Sequence, residues 1–259
     1  MTGKARYRAV IEYDGTDFLG FQIQARGRTV QGEIEKALQQ VTQSTIRIDG
    51  AGRTDTGVHA TGQVIAFNVK WKHSLADLHR ALNANLPDDI VVSDLKIVDS
   101  MFHPRFSALS RSYCYTVINQ PWPEVLQRRY AYHVKSPLDV GAMNEASRFL
   151  IGSHDFASFG KPPQGENTVR QVSQAEWTAN GKLLDFEITA NAFLYRMVRT
   201  IVGTLIQVGL GQLAVSEIKN ILDARDLTRS APPAPAHGLC LVRVAYPVTS
   251  EQLSVQPYD

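Results

Sequence analysis

The most constraining feature of this sequence is a switch of hydrophobic period that occurs in the same order twice. In the first half, Tyr7, Ala9, Ile11 and Tyr13 alternate with more polar neighbours, which places them on one face of a strand. After Thr29, a residue suited to an N-cap, Val30, Ile34, Ala37, Leu38 and Val41 fall at helical spacing. A short strand is expected at residues 46–48, and a longer one carries Ile65, Phe67 and Val69. Ser74 and Asp77 have capping-box spacing ahead of a helix bearing Leu75, Leu78 and Leu82, and residues 90–97 read as a closing strand.

The second half repeats the series. Tyr113, Tyr115 and Val117 alternate on a strand, and Asp139 can cap a helix that carries Met143, Ala146, Phe149 and Leu150. Strands follow at residues 169–177 and around Leu184, Phe186 and Ile188, then a long apolar helix through Met197, Ile201, Val202, Leu205 and Val208. A short helix near Ser216 and a strand at residues 239–245 complete the series. Strand–helix–strand–strand–helix–strand is the split βαβ, or ferredoxin-like, order. The expected fold is therefore α+β: two ferredoxin-like halves, residues 1–108 and 109–259, with mainly antiparallel sheets flanked by helices. Three proline-bearing segments interrupt this pattern: residues 120–123 and 160–165 look like long ordered loops or insertions, and residues 231–238 are too proline-rich for helix or inner strand; a linker is the plain alternative for all three and the better reading of the first.

Composition narrows the class of protein. No run approaches the ~18 consecutive apolar residues of a membrane span. The start, Met1-Thr2-Gly3-Lys4, has no secretory-signal character, and two cysteines, Cys114 and Cys240, make no disulfide framework, so a reducing cytoplasm is expected. The net charge of +2 neither requires nor excludes nucleic acid. Arginines do pair locally, at Arg6 and Arg8, Arg26 and Arg28, Arg128 and Arg129, and Arg196 and Arg199; a solvated surface is the plain reading of any one pair.

The segment Gly52-Arg53-Thr54-Asp55-Thr56-Gly57-Val58-His59-Ala60 carries the clearest chemistry. Its glycines permit close backbone approach, and Arg53 and Asp55 can reach one pocket from a single loop. An arginine there would keep the carboxylate ionised, as a nucleophile or base requires; the alternative is a turn with a surface ion pair. Metal chemistry finds no Cys-x-x-Cys or His-Glu-x-x-His run, and no phosphate-loop or dinucleotide fingerprint is present.

This segment resembles the active-site signature of the tRNA pseudouridine synthase I family. Further blocks follow in that family's order: Tyr13-Asp14-Gly15-Thr16 with Phe18, Gly20 and Gln22; Asn83-Ala84-Asn85-Leu86-Pro87; Phe102-His103-Pro104-Arg105-Phe106-Ser107-Ala108. Tyr113-Cys114-Tyr115, His154-Asp155-Phe156, residues 193–199 and Ala234-Pro235-Ala236-His237-Gly238-Leu239 continue it. Phe21, Thr56 and Arg196 depart from the family's usual Trp, Ala and His. The resemblance implies isomerisation of uridine to pseudouridine at positions 38–40 of the tRNA anticodon stem-loop, without a cofactor. It makes Asp55 the catalytic carboxylate, Tyr113 the ring against the target uracil, Arg199 the partner of the aspartate and Arg53 the residue that helps flip the base. It also implies a homodimer in which the two halves of each subunit form the active-site cleft, with the tRNA arm lying across both subunits. His59, His103, His154 and His237 are expected to pack or hydrogen-bond. Two rivals remain: a non-catalytic RNA-binding module, and a hydrolase with two carboxylates, for which Asp49 is the nearest second acid.

Overall fold

The computed structural model describes residues 4–163 and 165–247. The chain start read at Met1-Thr2-Gly3 and residue 164 of the second proline-bearing segment lie outside the described residues.

The first half consists of β1 (Ala5–Tyr13), α1 (Val30–Thr42), β2 (Asp49–Gly50), β3 (His59–Val69), α2 (Leu75–Asn85) and β4 (Ile90–Val98). The alternation of β1 turns Tyr7, Ala9, Ile11 and Tyr13 into the core, and β1 lies antiparallel between β3 and β4. Thr29 caps α1 by accepting from the Gly32 N–H, and Ser74 with Asp77 forms the expected capping box on α2. The strand expected at residues 46–48 forms instead at Asp49–Gly50, opposite Ala66 and Ile65. Ile46 and Ile48 are buried, but the Ile48 N–H is taken by the Glu35 carboxylate at 3.1 Å rather than by a neighbouring strand. Alternating apolar residues report burial; they do not report where a backbone group finds its partner.

The second half consists of β5 (Ser110–Asn119), β6 (Tyr132–Val134), α3 (Val140–Arg148), β7 (Gly152–Asp155), β8 (Val169–Asn180), β9 (Leu183–Ala190), α4 (Met197–Gly209), α5 (Glu217–Ala224) and β10 (Leu239–Ala245). Asp139 caps α3 as its position suggests, but the helix stops at Arg148, so Phe149 and Leu150 fall just beyond it. Strands β6 and β7 are unanticipated, being too short for an alternating pattern to register. Ten of the 13 residues of α4 are buried, which explains its nearly unbroken apolar sequence.

The strands join into one ten-stranded, mainly antiparallel sheet in the order β4-β1-β3-β10-β5-β9-β8-β7, with β2 beside β3 and β6 beside β5. The halves meet where β10 runs parallel to β3 through two residue pairs, Cys240 with His59 and Leu241 with Ala60. β2 and β10 both pair with β3, at different points along it, so residues 51–58 emerge where the two halves meet. Gly62 permits this approach, because a Cβ there would overlap the Val242 carbonyl. The same seam links the two cores: Leu241 and Val244 of β10 pack into the first, and Val58 into the second. Among the described residues no helix is long and apolar enough to cross a membrane.

Candidate active site

The loop of residues 51–58 is held by the first half at almost every step. The Ala51 N–H donates to Val64 O at 2.8 Å, and the fully buried Gln63 donates its side-chain amide to Gly52 O at 3.0 Å. Thr54 is gripped twice, through its hydroxyl by Tyr13 at 2.8 Å and through its carbonyl by the Phe21 N–H at 3.1 Å. Gly20 makes that grip possible: its φ is +91°, and a Cβ would sit 2.7 Å from Thr54 O. The Val58 N–H then bonds back to Asp55 O at 3.1 Å, closing a tight turn.

Across the seam, Arg199 on the first turn of α4 donates from Nη1 to Asp55 Oδ2 at 3.2 Å. Its Nε donates to Ala234 O at 2.7 Å, and its carbonyl receives the Ala234 N–H. The proline-rich segment at residues 231–238 is therefore the brace that aims Arg199. Side-chain exposure is 15% for Arg199 and 25% for Asp55, so solvent weakens this ion pair only in part. The helix begins abruptly at Arg196, which adopts φ +62° and lays its guanidinium over the exposed Tyr195 ring.

Tyr113 projects from β5 beside this pair, with its ring edge-on to Phe193 at 5.0 Å between centroids. Burial first, and the neighbouring Asp55 charge with it, push the Tyr113 hydroxyl up to about 12, against the opposing pull of Arg111. The phenol keeps its proton at neutral pH. Arg53 is exposed and enters no ion pair among the described residues. The cation beside Asp55 is thus Arg199 rather than Arg53: Asp55 lies inside the turn that faces α4, whereas Arg53 precedes it and points to solvent. The structure brings Asp55, Arg199 and Tyr113 together and leaves Arg53 at the rim.

Two further groups organise the loop. Arg111 donates to Ala51 O at 3.1 Å, Arg105 O at 2.6 Å and Asn191 O at 2.8 Å, tying the loop to two neighbouring segments. Burial lowers its pKa. Nothing singled out Arg111 in the sequence, although it shares strand parity with Tyr113. His59 is a knot of the hydrogen-bonding kind expected: Nδ1 accepts the Gly15 N–H at 3.0 Å, and Nε2 faces Arg129 O at 2.8 Å and His237 O at 3.2 Å. Nδ1 also lies 3.2 Å from Asp14 Oδ1. Among the atypical positions, Phe21 is buried against Gly50, while Thr56 and Arg196 are exposed. Among the described residues no group of three His, Cys, Asp or Glu side chains is placed to hold a metal ion.

Known proteins similar to this chain match it along most of its length. The family model for tRNA pseudouridine synthase matches residues 9–107 and 146–247. tRNA pseudouridine synthase A of Bacillus subtilis is 44% identical over 244 residues, spanning 93% of this chain and 99% of that protein. The Brevibacillus brevis and Geobacillus kaustophilus proteins of the same name are 45% and 46% identical, each over 93% of this chain and over 99% and 94% of their own lengths. The chain belongs to the tRNA pseudouridine synthase family.

Proposed function

We propose that this protein isomerises uridine to pseudouridine at positions 38–40 of the tRNA anticodon stem-loop, with residues 1–108 and 109–259 forming the two walls of the active cleft. The observation that carries this reading is the ion pair of Asp55 and Arg199 in a family member whose site also holds Tyr113. The reaction breaks the C1′–N1 bond, turns the uracil and joins C5 to C1′, with no net gain or loss of atoms. A carboxylate serves it by attacking C1′, by adding to C6 of the base or by removing a ribose proton, and the hydrogen bond from Arg199 orients the Asp55 carboxylate in each case. Tyr113 supplies an aromatic face for the uracil and a proton-bearing hydroxyl for the exchange at C5. Arg53, free at the rim, is suited to occupy the gap left by an extruded base.

Pseudouridine mapping on unmodified tRNA transcripts tests this reading, with wild type and Asp55→Asn compared side by side. Product in the anticodon arm from wild type alone, with tRNA binding retained by the variant, supports it. A folded wild type that binds tRNA and yields no product would favour a non-catalytic RNA-binding module, and release of free uracil would favour a hydrolase. The active unit is a homodimer in this reading, with one tRNA arm lying across both subunits. A fully active monomer in light scattering would defeat that part alone.

A further inference from the structure

Residues 120–131, between β5 and β6, form an anchored loop rather than the linker that residues 120–123 suggest. Its base is closed on the second half, where Asn119 donates to Val134 O and Ser136 O and His133 bonds to Gln120 O. Its far end is fixed to the first half. The Tyr130 hydroxyl donates to Asp14 Oδ2 at 2.8 Å, the Tyr130 ring lies 5.1 Å from the His59 ring, and His59 Nε2 meets Arg129 O. These contacts fix the backbone at Arg129 and the ring of Tyr130 beside a cavity of about 350 Å³ lined by Arg128, Arg129, Thr16, Gly57, Ala236 and His237. Gly57 is two residues from Asp55, so the cavity adjoins the catalytic loop.

The charge in this cavity is not neutralised from within. Asp14, the acid nearest the loop end, already accepts from the Thr16 N–H, the Thr16 hydroxyl and the Tyr130 hydroxyl. Burial would raise its pKa, but the hydrogen bonds from Thr16 and Tyr130 outweigh burial and lower it, so its charge is spent on internal partners. Arg129 meets Asp17 only at 4.0 Å, with both side chains about half exposed or more, and Arg128 enters no ion pair among the described residues. Two arginines lining a cavity, one outside any ion pair among the described residues and the other meeting an acid only at 4.0 Å, offer a site for an anion. The volume lies at the small end of the ~300–1,000 Å³ range of ligand sites, and suits one nucleotide unit rather than a helical stem.

We infer that Arg128 and Arg129 form a phosphodiester-binding site for the RNA nucleotide flanking the target uridine, built by docking the 120–131 loop onto Asp14 and His59. The inference rests on the RNA-modifying reading above. It assigns a phosphate grip to a segment that lies within residues 108–145, which the family model does not match.

The experiment compares wild type, Arg128→Gln/Arg129→Gln and Arg128→Lys/Arg129→Lys in multiple-turnover pseudouridine formation on unmodified tRNA at several salt concentrations. The glutamine pair is expected to raise KM about tenfold or more with kcat little changed. It is also expected to make the slope of log kcat/KM against log salt shallower by about 1 to 2, since two phosphate contacts are lost. The lysine pair keeps the charge and is expected to restore most of the slope. A glutamine pair with wild-type KM and salt slope would overturn the site. Lysine variants that behave like glutamine variants would overturn the electrostatic account of it. Wild type without product at any salt would refute the RNA-modifying reading itself, which separates the two failures.

Discussion

Asp55 and Arg199 stand 144 positions apart in the chain, yet Arg199 Nη1 lies 3.2 Å from Asp55 Oδ2, and the two belong to opposite halves of the molecule. The carboxylate comes from a loop held by β1, β3 and the Gly20 turn, and the guanidinium from the first turn of α4, aimed by Ala234 O. The site therefore exists only when the halves are docked, and its chemistry depends on the seam.

Removal of Arg199 is the direct probe of this pair. Arg199→Gln is expected to lower kcat/KM about 10- to 100-fold, the equivalent of the ~1.5–3 kcal/mol of a charge-assisted hydrogen bond. Arg199→Lys keeps the charge but loses the fork that grips Ala234 O, and should recover only part of the rate. Single-turnover pseudouridine formation on one tRNA transcript measures both. A Gln variant as fast as wild type would show that the pair does not contribute to the reaction.

Tyr113 yields a prediction in activity and another in pH. Tyr113→Phe retains the ring against Phe193 and removes the hydroxyl, so kcat should fall while tRNA affinity stays near wild type. Burial raises the pKa of Tyr7, Tyr13, Tyr113, Tyr115 and Tyr246. Below pH ~10 both folded and unfolded chains keep these protons, so stability gains no pH dependence from them. Above it the unfolded chain loses protons first, so stability should fall as pH rises from ~10 through the Tyr113 value of about 12. Urea unfolding at pH 8 to 11.5 reads this fall, which should be shallower in Tyr113→Phe. A slope identical to wild type would contradict the buried, proton-holding state of this phenol.

The seam itself is tested at Gly62. In Gly62→Ala the new Cβ meets the Val242 carbonyl, so β10 must shift away from β3 or the backbone must strain, a change of about 1–3 kcal/mol. The melting temperature should drop by several degrees, about 2–4 °C for each kcal/mol in a chain of this size. The rate should fall by more than the loss of folded protein explains, since the shift separates Arg199 from Asp55. Full activity per folded molecule would show that the site tolerates a displaced β10.

Much of this protein is legible in its sequence because the relevant signals are local. Period-two alternation at Tyr7 to Tyr13 and the caps at Thr29, Ser74 and Asp139 act within a few residues of themselves, so they specify strands and helix starts wherever the chain goes. The loop bearing Asp55 is marked in the same way, by residues that follow one another. What tertiary structure decided lies between distant segments. Pairing of β10 with β3 made one sheet of two, and that pairing, not the spacing of Arg53 and Asp55, chose the cation beside the carboxylate. Arg111 became a tie between three segments, and the arginine pair at 128 and 129 became an anchored feature, because their partners are backbone carbonyls and side chains up to 116 positions away. Hydrogen bonds of that kind depend on which backbone groups the fold leaves unpaired, and no local pattern of side chains encodes that.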